Sequence, residues 1–395
     1  MLAEHCQQAR ALWNVCVEQQ SYYVRGGTRP PGRAERYRQL TEARAESDWL
    51  RKGSVTVQQQ ALRDFDQALA NFFRGTHRKP RFRKRGLSES FRVVGKDARV
   101  EKLNRKWSRC WVPKLGWVRF RRTRDLPPGV RSYRIIMDRA GRWHVAFAAR
   151  PDPVDGPGTG EIVGVDRGVA VTAALSTGEM LRCPGLTVRE RARLRKAQRR
   201  AARAAKKSPA QESEWAKIGR LRAREADRRK DFVEKASTRL ARGFDLIRFE
   251  KLNIVTMTRS AAGKVDAPGR GVRQKAGLNR SILAQGWGML RARTGDKAPG
   301  RVQDVRAPYT SLRCSACGWI EKKSRESQAV FRCVACGFTC NADVNAAVNV
   351  AAGQPVTRRA GRAGTPGRAG GTTTGNRPSV REPQRKTPAR MVGVE

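Results

Sequence analysis

The chain has 395 residues, 83 of them Lys or Arg and 35 Asp or Glu, so its formal net charge is +48. Such a chain repels itself and calls for a polyanion, most often nucleic acid, which argues against an enzyme of small metabolites. At about 150 residues per domain the length suits two or three domains, and 39% hydrophobic residues exclude full disorder.

No apolar run reaches the roughly 18 residues of a membrane span, and the first ten residues lack the pattern of a signal peptide. Nine cysteines, an odd number, favour a reducing cytosol and a metal site over a disulfide framework.

Residues 1–76 read as a helical lobe. Leu12, Val15, Cys16, Gln19 and Tyr23 mark one helix. Val55, Leu62, Phe65, Leu69 and Phe72 mark another, their steps of three and four placing one stripe toward a core. Ser54 would cap that helix, and Gly75 lies just past its end. Residues 77–150 open on the basic stretch 77–85, which holds Phe82. Short alternating runs follow at 111–113, 115–120, 133–137 and 143–147, with a turn at 138–141. They predict a small antiparallel sheet or barrel. Its Arg side chains interleave with Trp and Phe, which suits nucleic-acid contact. Residues 151–160, rich in Pro and Gly, predict a linker.

Ile162–Asp166 reads as a buried strand ending in an acid, 169–175 as a second strand, and 176–179 as a turn into a short third. Residues 188–243 predict long basic helices broken near Ser208 and Pro209. Few acids balance 191–207, which favours phosphate binding over a merely solvated face. A further strand, 244–250, again ends in an acid. Then come a mobile polar loop over 256–277, a helix over 278–293 and a strand over 301–305. Residues 353–395 are Gly, Pro, Thr and Arg with little apolar content, the composition of a disordered basic tail.

Cys314 and Cys317 form one C-x-x-C pair, Cys333 and Cys336 another, with fifteen residues between the pairs. This is the spacing of a four-cysteine zinc ribbon, in which two turns present four thiolates to one tetrahedral ion. Gly318 and Gly337 follow the pairs, where the backbone must bend sharply. A closed four-thiolate site is structural and does no chemistry. Cys340 is spare, and Cys6, Cys16, Cys110 and Cys183 read as ordinary thiols.

Asp166 and Glu250 end strands, and Asp343 begins a helix. Each alone is an ordinary surface acid, and Asp343 could simply cap its helix. Together, an acid after a hydrophobic strand, a hairpin, a later strand-and-acid and a third acid at a helix start follow the order of RNase H-like nucleases. Phosphodiester hydrolysis needs acids that converge on two divalent ions roughly 4 Å apart, and carboxylates suit magnesium, a hard cation.

The segments Val163-Gly164-Val165-Asp166-Arg167-Gly168 and Phe249-Glu250-Lys251-Leu252-Asn253 join Pro308-Tyr309-Thr310-Ser311, the two cysteine pairs and Asn341-Ala342-Asp343-Val344-Asn345-Ala346-Ala347-Val348-Asn349. Together, over roughly residues 1–352, they resemble the TnpB (OrfB) family of insertion-sequence proteins, known as transposases and similar to compact type V CRISPR effectors. The resemblance implies an α/β fold with an RNase H-like (RuvC) nuclease domain. That domain would span 161–306 and 341–352, with the zinc ribbon at 307–340 inserted before its last acid. A helical recognition lobe and a wedge-like β-barrel would precede it. Asp166, Glu250 and Asp343 would match the three RuvC acids and hold magnesium.

The partners implied are a guide RNA from the element's end and double-stranded target DNA, cut beside a short transposon-adjacent motif. The implied setting is the bacterial cytosol and nucleoid, with no membrane partner. One departure stands out. Family chains usually begin with a basic strand ahead of the first helix, whereas this chain starts inside that helix at Met1-Leu2-Ala3-Glu4. Either the start codon lies upstream or the barrel lacks its first strand. Two alternatives use the same residues: direct transposition by the three acids, and a nuclease-inactive nucleic-acid-binding regulator.

Overall fold

The chain opens with four helices, α1 (Leu2–Ser21), α2 (Arg33–Glu46), α3 (Asp48–Lys52) and α4 (Val55–Phe73), of which α1, α2 and α4 close over a cluster of Trp13, Cys16, Leu40, Leu62 and Phe65. The computed structural model describes residues 1–22, 27, 29–87, 89–148, 152–306 and 308–353. Tyr23, and the expected basic tail beyond Gly353, lie outside them. The Ser54 hydroxyl accepts the Val57 amide and caps α4, as the sequence predicts. Two expected core positions turn outward. Val15 and Val55 are exposed, while Trp13 and Val57 are buried in their place. The wide Trp13 ring fills the gap beside Phe65, with ring centroids 5.4 Å apart.

Six strands follow: β1 (Glu89–Val94), β2 (Val100–Lys102), β3 (Trp107–Val112), β4 (Gly116–Arg121), β5 (Ser132–Met137) and β6 (Trp143–Phe147). They pair as two three-stranded antiparallel sheets, β1-β5-β6 and β2-β3-β4, rather than as one continuous hydrogen-bonded sheet. Phe91, Val93, Cys110, Val112, Tyr133 and Ile135 meet Cys6, Ala9, Val57 and Ala61 in one core, so α1 and α4 cover it. The alternation over 111–120 was readable from the sequence, but β1 and β2 were not. The inward positions of β1 begin with Glu89, buried against Arg10, which disguises its period of two.

The linker does not hang free. The Asp245 carboxylate accepts the Gly158 and Gly160 amides, and the Val154 amide donates to the Lys297 carbonyl.

Beyond it lies a five-stranded sheet built from β7 (Ile162–Asp166), β8 (Ala173–Leu175), β9 (Met180–Leu181), β10 (Leu246–Glu250) and β11 (Val302–Val305), in the order β11-β10-β7-β8-β9. β7, β10 and β11 run parallel, β8 runs antiparallel to β7, and β9 antiparallel to β8. The second strand is shorter than expected because 169–172 stay irregular. The sharp turn before β9 uses Gly178 at φ +92°.

The helices are α5 (Val188–Arg203), α6 (Pro209–Gly243), α7 (Ile254–Met257), α8 (Val272–Gln285), α9 (Trp287–Lys297) and α10 (Ala342–Ala352). α5 and α6 break at Ser208, as expected. The expected loop over 256–277 instead begins and ends in helix and is tied down, with the Lys275 ammonium and the Asn279 amide donating to the carbonyls of Met257 and Thr258. The expected single helix over 278–293 is two helices, because Gly286 takes a left-handed φ of +72° between them.

Val163, Val165, Ile247 and Phe249 face α6 and α9 and form the main core with Leu175, Val233, Leu240 and Leu290. Alternation then sends Gly164, Asp166, Arg248 and Glu250 to the opposite face, which α10 covers. Two short strands, β12 (Val330–Arg332) and β13 (Thr339–Asn341), pair in the cysteine ribbon. Among the described residues, no helix is long and apolar enough to cross a membrane.

Candidate metal and nuclease sites

Two local features place β7 and α10 in contact. A Cβ at Gly164 would lie 2.0 Å from the Ala347 carbonyl oxygen, so only glycine lets the helix rest on the strand backbone. Asn345 and Asn349 then fasten α10 to the ribbon. Both side-chain amides donate to the Arg313 carbonyl at 2.8 Å, and Asn349 also donates to Thr310 at 2.9 Å.

The start of α10 is capped by Asn341, whose side chain accepts the amides of Asp343 and Val344 at 2.9 and 3.2 Å. Asp343 is therefore not the cap, and its carboxylate is left for the face shared with β7 and β10.

Asp166 and Glu250 end adjacent parallel strands, with Val165 opposite Phe249 one step earlier. Burial and the neighbouring charges of Glu250 and Asp343 push the Asp166 carboxyl up to about 7. Burial also raises Glu250, opposed by the Arg167 charge and the Thr310 hydroxyl, which donates to its Oε1 at 3.4 Å. Arg167 is itself buried and donates to the Glu250 carbonyl, holding the ends of β7 and β10 together.

Arg325 reaches over from the ribbon, its Nη2 3.3 Å from Asp343 Oδ1. The three acids thus share one electrostatic environment. They are not gathered onto one point: among the described residues, the four thiols are the group of three or more such side chains whose ligand atoms all lie within 4.8 Å of one another. Arg167, Thr310 and Arg325 escaped the sequence reading. Arg167, directly after Asp166, and Thr310, within Pro308-Tyr309-Thr310-Ser311, lay in segments that carry the resemblance, whereas Arg325 had no such signal.

The four cysteines do meet. Cys314 Sγ lies 3.8 Å from Cys336 Sγ, and Cys317 Sγ lies 3.6 Å from Cys333 Sγ. A tetrahedron with metal–sulfur bonds of about 2.3 Å has edges of roughly 3.8 Å, so the donor set fits an ion such as zinc.

The two halves repeat one geometry. The Gly318 amide donates to Cys314 and the Gly337 amide to Cys333, with φ of +78° and +74°. Left-handed backbone is where glycine is needed, as the sequence predicts. Cys340 packs beside the cluster against Phe331 and is not one of the four.

Comparison with known proteins extends this picture. Residues 148–261 match a family model described as "Probable transposase", and residues 287–350 match one described as "Cas12f1-like, TNB domain". The chain is 37% identical over 318 residues to the "Putative RNA-guided DNA endonuclease InsQ" of Escherichia coli (strain K12), covering 79% of this chain and 77% of the relative. It is 30% identical over 399 residues to a "Putative RNA-guided DNA endonuclease" of Streptomyces pristinaespiralis, covering 96% and 91%. In fold it is similar to Cas12f1 solved with sgRNA and target DNA, at a TM-score of 0.53 and 13% identity over 88% of this chain and 81% of that one. With these relatives matched over most of their length and the segments 163–168, 249–253 and 341–349 in place, the chain belongs to the TnpB (OrfB) family of insertion-sequence proteins.

Proposed function

We propose that the chain is an insertion-sequence-encoded, RNA-guided DNA endonuclease that hydrolyses phosphodiester bonds with Asp166, Glu250 and Asp343. The observation that carries this reading is the shared environment of the three acids, drawn from β7, β10 and α10, in which Asp166 is held near 7 by burial and by the other two. Buried carboxylates that repel one another are suited to divalent cations. The strand order β11-β10-β7-β8-β9 supports the RNase H-like reading, since its first three strands in sequence are antiparallel and the next two extend the sheet in parallel. The relatives' names supply the RNA guide and the DNA target.

Magnesium, when bound as a pair, would supply an activated water and a counter-charge for the leaving oxygen. The chain's own residues do the rest. Asp166, Glu250 and Asp343 would hold the cations. Arg167 fixes the strand ends from beneath. Arg325 offers its guanidinium to a phosphate entering over Asp343.

Strand delivery falls to α5. Its one acid, Glu190, is taken up by Arg224 and Arg228, while Arg189, Arg191, Arg193, Arg195 and Arg199 have no carboxylate partner among the described residues. Residues 1–76 and 77–150 form the recognition lobe and wedge, and 161–306 with 341–352 the nuclease. The ribbon at 307–340 is held by one structural zinc on Cys314, Cys317, Cys333 and Cys336.

The test is plasmid cutting by the protein carrying the RNA encoded at its element's end. Cutting should require magnesium and disappear in Asp166→Ala with RNA binding retained. Cutting that persists in Asp166→Ala would overturn the assignment.

A further inference from the structure

Thr310 touches both elements that bring the later two acids. Its hydroxyl donates to Glu250 Oε1 at 3.4 Å, at the end of β10, and its carbonyl accepts the Asn349 side-chain amide at 2.9 Å, from α10. The residue is 2% exposed.

The backbone just before it has an uncommon shape. Among the described residues three non-glycines take a positive φ: Lys114, Lys207 and Tyr309. The two lysines are exposed at surface turns. Tyr309, at +67°, is half-buried and stands directly before Thr310. A bulky residue keeps such a φ only where its surroundings enforce it, and residues of this kind gather at functional sites. The enforcing bonds are visible here. The Tyr309 carbonyl accepts the Leu312 and Arg313 amides, both at 3.0 Å, and Asn345 and Asn349 hold the Arg313 carbonyl. The turn so formed leaves Pro308 exposed and sends the Thr310 side chain inward to Glu250.

We infer that Thr310 is a positioning residue of the nuclease site, its hydroxyl steering the Glu250 carboxylate toward the divalent cations while its carbonyl stays tied to the helix that carries Asp343. The inference rests on the nuclease reading above and adds a residue that acts through Glu250.

A threonine that merely fills a core can spend its hydroxyl on its own helix, as Thr258 and Thr294 do on the carbonyls of Ile254 and Leu290. Thr310 reaches a carboxylate 60 residues earlier in the chain. The main chain of Glu250 is already fixed, by pairing with β11 and by Arg167 at its carbonyl. Its carboxylate still turns about the side-chain bonds. A hydroxyl donating to one oxygen sets the carboxylate plane and leaves the other oxygen to a cation, and groups that hold a ligand in this way govern metal affinity without touching the metal.

The experiment measures manganese, an oxygen-preferring probe in place of magnesium, bound to the RNA-free full chain, from the paramagnetic resonance signal of the free ion. Thr310→Val removes the hydroxyl and keeps the branched shape. Manganese affinity should fall about tenfold in it, and the magnesium needed for half-maximal plasmid cutting by the RNA-loaded protein should rise by a similar factor. Thr310→Ser, which restores the hydroxyl, should recover most of the affinity. In a Glu250→Ala chain, itself weakened, Thr310→Val should lower the affinity no further, because no carboxylate is left to steer.

Three outcomes overturn the proposal: parental manganese affinity in Thr310→Val, a Thr310→Ser chain as weak as Thr310→Val, or the same loss with and without Glu250. The last is what a threonine that only fills space would give. The nuclease reading fails separately. Cutting that survives Asp166→Ala sinks that reading and leaves the Thr310–Glu250 coupling standing in the manganese data. Cutting that needs Asp166, with manganese indifferent to Thr310, sinks this proposal alone.

Discussion

Arg325 of the cysteine ribbon and Asp343 of α10 form an ion pair of 3.3 Å at the edge of the acidic face. The pair joins a segment shaped by the four thiols to the candidate nuclease site, and the Arg325 charge also opposes the upward push on Asp166. A guanidinium there suits a phosphate oxygen once cations take over Asp343. Arg325→Ala should slow single-turnover DNA cutting by about a hundredfold while leaving RNA binding and melting temperature unchanged. Arg325→Lys should recover part of the rate. Equal cutting rates for all three chains would reduce Arg325 to a surface counter-ion.

Gly164 makes a sharper structural prediction. Its Cα faces the α10 backbone so closely that an added methyl would overlap Ala347 and Ala351. Gly164→Ala should push α10, and Asp343 with it, off the sheet. The expected result is loss of cutting together with a lower melting temperature, by several degrees for a loss of about 2 kcal/mol. The same substitution at Gly300, where a Cβ meets open space, should leave cutting intact and lower the melting temperature less, by the strain of its left-handed φ alone.

The ribbon gives a third. Asn345 and Asn349 tie α10 to the Arg313 carbonyl, next to Cys314. Metal loss should therefore reach Asp343 through α10, although no thiol touches the acids. Metal analysis of the purified protein should find about one zinc per chain. Cys333→Ser should remove it and abolish cutting. A ribbon without zinc but with full activity would contradict the structural role.

Much of the site was legible because its signals are chemical and local. Four thiols at C-x-x-C spacing, glycines after each pair and acids at the ends of apolar strands survive any uncertainty about packing. What escaped depends on partners distant in the chain. Arg325 sits in a polar stretch with nothing to mark it, and its role exists only because the ribbon folds over α10. Trp13 replaced Val15 in the core because the lobe's helices leave a gap for a large ring, which helical period alone cannot predict. β1 hid behind a buried Glu89 whose partner, Arg10, lies on α1. Gly286 read as part of one helix, since a single glycine inside a periodic stretch costs only about 1 kcal/mol and its left-handed φ is set by packing.

The elevated Asp166 carboxyl has a pH signature. In the unfolded chain it titrates near 3.8, and in the folded metal-free protein burial and the charges of Glu250 and Asp343 raise it to about 7. Between those values the folded state holds a proton that the unfolded state has lost, so stability falls as pH rises through this window and levels off above it. The metal-free protein should melt at a lower temperature at about pH 8 than at about pH 5. Magnesium, which binds the ionised form, should restore more stability at the higher pH. Asp166→Asn removes the titrating group and should flatten that part of the pH dependence while raising the melting temperature of the metal-free protein at the higher pH. A metal-free protein whose melting temperature rises between the two pH values by the same amount with and without Asp166 would show that the three acids do not share one environment.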